Sequence, residues 1–144
     1  MTESSAPERS LVLIKPDGFA RRLTGEVLRR IEAKGYALVA LRIVSPTREM
    51  LAEHYAEHEG KPFYEPLLEF MSSGPVTAAL IEGEGCIPGF RSLAGATNPT
   101  DAAPGSIRGD LARDWGTKVQ QNVVHGSDSP ESAAREIAIW FPEL

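Results

Sequence analysis

Ser10-Leu-Val-Leu-Ile-Lys-Pro-Asp-Gly18 is the clearest strand signal in the chain, because an apolar run ends there at a lysine and a Pro-Asp-Gly turn. A short apolar run bounded by turn formers is typical of a buried strand. Beyond it, residues 24–34 carry apolar side chains at helical spacing and stop at Gly35. Residues 36–44 are rich in β-forming side chains. The first third of the chain therefore predicts a strand–helix–strand unit.

The same alternation of helices and strands continues to the end of the chain. The predicted elements are a helix over 47–57 capped by Thr47, a helix from Pro62 to a stop at Gly74-Pro75, a strand over 76–82, a helix over 85–95 interrupted at Pro88, a loop over 96–105, a short strand over 121–125 and a helix over 129–140 capped by Ser129. Strands separated by helices in this order predict an α+β sandwich, with one sheet covered by helices in a plan close to the split βαβ.

Length and composition favour a single domain in a reducing compartment. The 144 residues suffice for one domain, and a net charge of −5 argues against nonspecific nucleic-acid binding through a basic face. The lone cysteine, Cys86, excludes an intramolecular disulfide. The polar start lacks a secretory pattern, and no stretch reaches the roughly 18 apolar residues of a membrane span. We therefore predict a cytoplasmic protein with a flexible N-terminus over 1–8 and one domain over 9–144.

His125 is the first candidate for chemistry, within the run Asn122-Val-Val-His-Gly-Ser-Asp-Ser129. Two β-branched residues before it and a Gly-Ser-Asp turn after it place the imidazole at the end of a strand, where it is held rigidly and can meet a ligand. An imidazole titrates near neutral pH, so it can serve as a nucleophile or a general base. The alternative is a structural histidine, which is the commoner role of a lone one.

Three cationic side chains are candidates for an anion site. Lys15 ends a buried strand beside a turn, where its ammonium can meet phosphate or sugar oxygens or can simply reach solvent. Arg91 and Arg108 flank the polar loop 96–105 and suit an anion clamp, with solvated arginines or a local ion pair to Asp110 as alternatives. Neither a Gly-x-x-x-x-Gly-Lys-Ser/Thr loop nor a Gly-x-Gly-x-x-Gly fingerprint occurs, so nucleotide binding would need a different construction.

Other polar side chains favour structural interpretations. Asp17 is interpreted as a turn residue. His54 and His58 lie four residues apart on a predicted helix, a spacing that can make half a metal site, but a solvated helix face is the preferred interpretation. Cys86 has no partner in the sequence and is expected to be packed in the core.

Five short runs, in this order along the chain, carry a resemblance to a known family. They are Ile14-Lys-Pro-Asp-Gly18, Ser73-Gly-Pro-Val76, Thr97-Asn-Pro99, Ile107-Arg-Gly-Asp110 and Asn122-Val-Val-His-Gly-Ser-Asp-Ser129. Together they closely resemble the nucleoside diphosphate kinase family over about residues 9 to 141. The resemblance implies a ferredoxin-like α/β sandwich, with a four-stranded antiparallel sheet and helices packed on it, in agreement with the strand order above.

The resemblance also implies a ping-pong kinase, in which the γ-phosphate of a nucleoside triphosphate, mainly ATP, passes to a histidine and then to a nucleoside diphosphate. His125 is then the nucleophile, and Glu136 is the carboxylate that orients it and leaves the attacking nitrogen unprotonated. Mg²⁺ is the implied cofactor, with Asp128 as a water-mediated contact. The implied partners are ATP and other nucleoside di- and triphosphates, with no nucleic-acid site, no membrane, and assembly into a homo-oligomer, either a tetramer or a hexamer.

The remaining implied roles surround the nucleotide. Lys15 and Asn122 match the pair that reads the ribose hydroxyls, with Lys15 also near the transferred phosphate. Tyr55 lies beside the catalytic histidine, and Phe63 stacks on the base, which suits broad specificity because every base has a π-face. The phosphate-binding positions are matched by Arg91, Thr97 and Arg108, the apolar base-facing position by Val119, and the support of the histidine turn by Ser127.

One departure from the family pattern bears on the pocket. Between Arg108 and Asn122 the chain is about four residues longer than the usual family spacing, just before the strand of His125. The extra length bears on pocket shape, substrate preference and assembly. One alternative to a broad kinase is therefore an enzyme narrowed to one nucleotide. Another is a non-catalytic nucleotide-binding or regulatory module on the same fold.

Overall fold

The computed structural model describes residues 7–116 and 121–144. Its strands are β1 (Arg9–Ile14), β2 (Ala37–Val44), β3 (Val76–Glu82) and β4 (Val124–Gly126). Its helices are α1 (Pro16–Ala20), α2 (Thr24–Lys34), α3 (Arg48–His54), α4 (Tyr64–Met71), α5 (Cys86–Ala94), α6 (Ile107–Leu111) and α7 (Pro130–Trp140), with a 3-10 turn over Ala56–His58. Within the described ranges, no helix has the length and apolarity needed to cross a membrane. Val119 and most of the predicted flexible N-terminus lie outside these ranges.

The four strands form one antiparallel sheet in the order β2-β3-β1-β4. The central strands β1 and β3 are buried along nearly their whole length. This burial explains why residues 11–14 of β1 form a continuous apolar run. The short strand β4 pairs with β1 and places His125 opposite Leu13. This arrangement confirms the predicted ferredoxin-like sandwich. It also places His125 beside β1, the strand that Lys15 directly follows.

Both faces of the sheet are covered by helices. One core cluster joins Val12 and Ile14 of β1 to side chains of α2, α5 and α6, and the other joins Leu11 and Leu13 to side chains of α3, α4 and α7. Successive residues of a strand point to opposite faces, so β1 supplies both clusters. Each fully buried Leu, Ile or Val side chain contributes about 1.5–3 kcal/mol. The two clusters thus hold β1 and β3 in place, and the candidate residue Lys15 directly follows β1.

The predicted helix ends are largely confirmed. Thr47 and Ser129 cap α3 and α7, with their hydroxyls accepting the backbone N–H groups of Met50 and Ser132. Gly35 ends α2 in the left-handed conformation, with φ of 104°. The helix predicted over 47–57 ends earlier, at His54, and continues as the 3-10 turn.

Other boundaries differ from the prediction for identifiable reasons. Pro88 does not interrupt α5, because it is the third residue of that helix, where a missing N–H costs no intrahelical bond. The helix α6 was not predicted, and Ser106 caps it by accepting the N–H of Gly109. The strand predicted from residue 121 begins at Val124, because Val123 has a φ of 71°, which a strand does not accommodate.

Candidate active site

A cavity of about 200 Å³ collects most of the predicted site residues. Its lining comes from the end of β1, from β4, from the residues flanking these strands, and from helices α3, α5, α6 and α7. The predicted site residues that line it are His125, Glu136, Lys15, Tyr55, Arg91, Thr97, Arg108, Asn122 and Asp128. Phe63 lies outside this lining, and Val119 lies outside the described residues. Residues from both ends of the chain thus meet at one place.

His125 is oriented by a carboxylate from the last helix. Its Nε2 lies 2.9 Å from Oε1 of Glu136, and the same oxygen accepts the Ser127 hydroxyl at 2.7 Å. Glu136 is buried, with Arg135 at 3.9 Å from its second oxygen. An ionised carboxylate only accepts hydrogen bonds, so this contact places the proton of the neutral imidazole on Nε2. The Nδ1 atom is left with a free lone pair, as a nucleophile requires.

Lys15 is held in the cavity by Asn122. Its Nζ donates to Oδ1 of Asn122 at 2.8 Å, and the amide of Asn122 donates in turn to the carbonyl of Thr97 at 2.9 Å. Burial lowers the pKa of Lys15 to about 8, and the positive charge of Arg108 acts in the same direction. The ammonium therefore stays mainly cationic at neutral pH. The hydrogen bond from Lys15 to Asn122 lies in the cavity, so the alternative in which Lys15 simply reaches into solvent is wrong.

Arg108 is hydrogen-bonded to the main chain around His125. Its guanidinium donates to three carbonyls, those of Gly95 at 2.9 Å, Asn122 at 3.2 Å and Val124 at 2.7 Å. Burial lowers its pKa to about 10, with the charge of Arg91 acting in the same direction, so the group remains cationic at neutral pH.

The alternative of a local ion pair between Arg108 and Asp110 is wrong. Asp110 pairs instead with Arg30 on α2, at 2.9 Å, and also accepts the backbone N–H of Gly105. Arg91, on the other side of the polar loop, reaches the carbonyl of Gly126 at 3.4 Å. Both arginines that flank the loop therefore turn toward β4 and leave positive charge at the cavity.

The solvated helix face predicted for His54 is wrong, since this side chain is only 2% exposed. The indole of Trp140 donates to its Nδ1 at 3.0 Å, and its ring centre lies 4.7 Å from that of His125, edge to face. Burial holds the pKa of His54 well below its ordinary value, so the ring is neutral. The sequence contained a sign of this burial, because Leu51 lies three residues before His54 and residues at that spacing share one face of a helix.

Three side chains in the cavity have the spacing of a metal site but the wrong hydrogen bonds. Donor atoms of His54, His125 and Glu136 lie within 4.8 Å of one another. The Trp140 indole N–H points at Nδ1 of His54, which leaves the ring proton on Nε2. The Nε2 of His125 already shares its proton with Glu136. A metal needs unprotonated histidine nitrogens, so this group is a hydrogen-bonded cluster rather than a metal centre.

Aromatic side chains from residues 55–63 lie at the outer edge of the cavity or just beyond it. His58 lines the cavity, and its ring centre lies 5.3 Å from that of Phe63, which is 43% exposed. The Nζ of Lys61 lies 5.8 Å from the Phe63 ring centre. Tyr55 is buried, its hydroxyl has no partner in the described parts of the chain, and burial raises its pKa. The edge thus offers an exposed ring and one unused hydroxyl.

One family model matches nearly the whole chain: that of nucleoside diphosphate kinase covers residues 8–144. The chain belongs to the nucleoside diphosphate kinase family. A relative from Mycolicibacterium gilvum (strain PYR-GCK), named nucleoside diphosphate kinase, is 61% identical over 138 residues, which are 95% of this chain and 98% of the relative. A relative of the same name from Saccharopolyspora erythraea is 60% identical over 138 residues, with the same coverage.

Solved structures from the nucleoside diphosphate kinase family share the fold. The crystal structure of a nucleoside diphosphate kinase family protein from Babesia bovis matches with a TM-score of 0.88 and 45% identity, over 94% of this chain and 90% of that chain. The nucleoside diphosphate kinase from Encephalitozoon cuniculi matches with a TM-score of 0.87 and 40% identity, over 93% of this chain and 88% of that chain. The resemblance carried by the five sequence runs is thereby confirmed.

The segment between Arg108 and Asn122, which we expect to exceed the usual family spacing, is described from Arg108 to Gly116 and from residue 121 onward. Arg21, at the end of α1, donates to the carbonyl of Leu111 at 2.6 Å. The Trp115 ring lies 4.4 Å from the guanidinium of Arg113 and 5.8 Å from that of Arg21. The described part of the segment therefore packs beside α1, away from the cavity lining.

Proposed function

We propose that the protein transfers the γ-phosphate of a nucleoside triphosphate, mainly ATP, to nucleoside diphosphates through a phosphohistidine at His125. Membership of the nucleoside diphosphate kinase family supports this reaction. The observation that carries the residue assignment is the 2.9 Å contact between Nε2 of His125 and Glu136. Because that contact holds the ring proton on Nε2, it favours Nδ1 as the attacking atom.

The reaction consists of two displacements at phosphorus. In the first, the lone pair on Nδ1 of His125 forms a bond to the γ-phosphorus while the bond to the bridging oxygen breaks, and the nucleoside diphosphate leaves with that electron pair. In the second, a terminal phosphate oxygen of another nucleoside diphosphate attacks the same phosphorus, and the N–P electron pair returns to Nδ1. Glu136 keeps its proton contact at Nε2 and balances the positive charge of the phosphorylated ring.

Charge neutralisation of the phosphates falls to the cationic side chains of the cavity. Phosphoryl transfer depends mostly on positioning and on electrostatic stabilisation. Arg108 is already fixed by three carbonyls and needs little reorganisation when an anion arrives. Arg91, Lys15 and Thr97 line the same cavity. The unpartnered hydroxyl of Tyr55 is a further donor beside the histidine.

Three described residues are available to bind the ribose and the base of the substrate. Lys15 and Asn122, already bonded to each other at 2.8 Å, offer donors for the ribose hydroxyls. Phe63 offers its exposed ring face to the base. Stacking accepts any base, so we propose broad nucleotide use. Val119 stays a prediction as the apolar residue on the other side of the base.

Mg²⁺ is proposed as the cofactor, and Asp128 is the residue that would hold it. Asp128 is exposed, lines the cavity, and its pKa is lowered chiefly by a hydrogen bond from Ser132, so it is ionised at neutral pH. Protein-bound Mg²⁺ commonly takes one or two carboxylates together with substrate phosphates and waters, which a single carboxylate beside the cationic side chains fits. When bound, the ion neutralises phosphate charge.

A homo-oligomer, either a tetramer or a hexamer, is also proposed. β2 is an edge strand, and Val39, Leu41 and Ile43 on it are exposed. Apolar side chains along an open edge are typical of an interface. Light scattering of the purified protein tests this, and a mass equal to one chain would contradict it. The buried thiol of Cys86 suits the reducing cytoplasm that we propose as its location.

The reaction is tested by labelling with γ-labelled ATP. The wild-type protein is expected to acquire an acid-labile, base-stable phosphate and to release it when a nucleoside diphosphate is added. His125→Ala should lose both steps, whereas His58→Ala, which alters another histidine of the cavity lining, should keep the label. Retained labelling in His125→Ala would overturn the assignment. Nucleotide binding without any phosphate exchange would instead identify a non-catalytic module.

A further inference from the structure

Val123, two residues before His125, has a backbone conformation that valine rarely adopts. In the described parts of the chain, the non-glycine residues with positive φ are Arg22 and Val123, and the latter has φ of 71°. Its side chain is fully buried. A β-branched residue is strained at such a φ and keeps it only where the surroundings enforce it. We therefore asked what enforces it.

The turn at Val123 is held by the residues that follow β1. The N–H of Val123 donates to Oδ2 of Asp17 at 3.0 Å, and its carbonyl accepts the N–H of Lys15 at 2.8 Å. The N–H of Val124 closes the turn on the carbonyl of Asn122 at 2.7 Å. The prediction of a simple turn residue at Asp17 is therefore wrong, because Asp17 lies in α1 and its carboxylate reaches the residue that precedes β4.

Gly18 lets this contact form. A Cβ at position 18 would lie 3.0 Å from Cγ1 of Val123 and 3.1 Å from its carbonyl oxygen. Such separations are tighter than side-chain carbons normally allow, so the absence of a side chain lets α1 approach the turn closely. The Pro-Asp-Gly run after β1 thus contacts Val123 through one hydrogen bond and one close packing contact.

We infer that Asp17 is a positioning residue for the reaction, because its carboxylate holds the left-handed turn at Val123 that sets His125 against Glu136. This inference rests on the proposed role of His125. If Val123 relaxed to a strand conformation, the two residues that follow it would change direction and His125 would leave its 2.9 Å contact. Asp17 is not part of the cavity lining, so it acts through the backbone rather than on the substrate.

A charge effect is the competing explanation for any loss of activity on changing Asp17. Its carboxylate raises the pKa of both Lys15 and Arg108, although burial dominates in each. Asp17→Asn separates the two explanations, since the amide keeps an oxygen that can accept the N–H of Val123 but carries no charge. Asp17→Ala removes both the acceptor and the charge.

The test measures the first-order rate of His125 phosphorylation by γ-labelled ATP under single-turnover conditions. We expect Asp17→Ala to lose about tenfold or more in this rate, with an ATP dissociation constant changed less than about threefold. Asp17→Asn should stay within about threefold of wild type in both. Adding Val123→Gly to Asp17→Ala should recover most of the rate, since glycine adopts positive φ without strain, while the melting temperature stays low because the hydrogen bond is still missing.

Met71→Ala, which truncates a buried side chain in the other core cluster, is the control for instability alone and should keep the rate. The inference is overturned if Asp17→Ala is phosphorylated at the wild-type rate, or if Asp17→Asn falls as far as Asp17→Ala. If Asp17→Ala fails to fold, the phosphorylation rate of Asp17→Asn still shows whether the charge of Asp17 is needed or whether an oxygen acceptor for the Val123 N–H is enough. Absence of label on wild-type His125 would instead reject the proposed function itself.

Discussion

The two sides of the cavity are built on different principles. On the phosphate side, formed by Lys15, Arg108, His125 and Glu136, polar side chains are hydrogen-bonded to Asn122, to one another or to main-chain carbonyls at 2.7–3.2 Å. On the outer lip, formed by residues 55–63, the Phe63 ring is 43% exposed, and the His58 ring centre and the Lys61 Nζ lie 5.3 Å and 5.8 Å from its centre. The phosphate side is therefore held by hydrogen bonds before a ligand arrives, whereas the Phe63 ring of the outer lip is partly exposed to solvent.

From this difference we expect the phosphate side to act in phosphate transfer and the outer lip to act in binding the base. Donors that are fixed in advance spend little free energy on reorganisation when charge develops at phosphorus. A solvent-exposed ring contributes stacking alone, which every base accepts. We therefore expect changes on the phosphate side to act on the rate, and changes on the outer lip to act on nucleotide affinity. The predictions below test that division.

The largest effect is expected for Arg108→Ala. Loss of a preorganised cationic donor should lower kcat by about 10³-fold, since removal of one such group typically costs 10²–10³. Three carbonyls would lose their donor, so the free energy of unfolding should fall by about 1–3 kcal/mol. Steady-state phosphate exchange and urea unfolding measure the two losses.

Arg113→Ala is the matched control, because Arg113 lies on the lengthened segment, outside the cavity lining. It should leave exchange near the wild-type value. Equal losses in the two variants would mean that the effect does not depend on the position of Arg108 in the cavity, and the distinction between the two sides would fail.

Glu136→Ala comes next and tests the orientation of the nucleophile. Without its acceptor, His125 can hold its proton on either nitrogen, so phosphoenzyme formation should slow by about 100-fold. The dissociation constant for ATP should change little. Glu136→Gln keeps an oxygen acceptor and should lose less. Nitrogen NMR of the wild-type ring checks the premise, and a proton found on Nδ1 would contradict it.

The pH dependence of the phosphate side follows from Lys15. Its pKa is lowered to about 8, so the cationic form is complete below that pH and is lost as the pH rises through it. The kcat/KM for ATP should therefore fall on the alkaline side of about pH 8. Lys15→Arg keeps its charge and should lack this alkaline decline, although its activity is lower. A decline that persists in Lys15→Arg would assign it to another group.

The smallest effect is expected on the outer lip. Phe63→Ala should raise KM for nucleotides by about three- to tenfold, the equivalent of about 1 kcal/mol of stacking, with kcat within about twofold of wild type. Purine and pyrimidine diphosphates should be affected alike. Lys61→Met, which removes the charge beside the ring and keeps an unbranched apolar side chain of similar length, should change KM less. A large fall in kcat for Phe63→Ala would place this side chain in the chemistry.

Local signals made most of the fold predictable. The apolar run of β1, the glycine after α2 and the hydroxyl caps of α3 and α7 act within a few residues of themselves, so pattern and cap chemistry suffice to find them. The five runs also contain six of the polar residues that line the cavity, namely Lys15, Thr97, Arg108, Asn122, His125 and Asp128.

What could not be predicted depends on partners distant in the chain. The burial of His54 requires Trp140, which lies 86 residues away. The carbonyl partners of Arg108 become visible only when the polar loop and β4 close around it. The left-handed backbone at Val123 runs against the local preference of valine, and only its tertiary contacts with Asp17 and Lys15 account for it.

The contact between His125 and Glu136 also bears on protein synthesis. The chain leaves the ribosome from its N-terminus, so β4 emerges before α7, the helix that carries the carboxylate. A nascent chain therefore exposes the imidazole before the group that sets its tautomer has arrived. Premature termination within residues 126–135 would release polypeptides that contain the histidine but lack its oriented Nδ1. Competence for phosphorylation thus begins only after α7 has been synthesised.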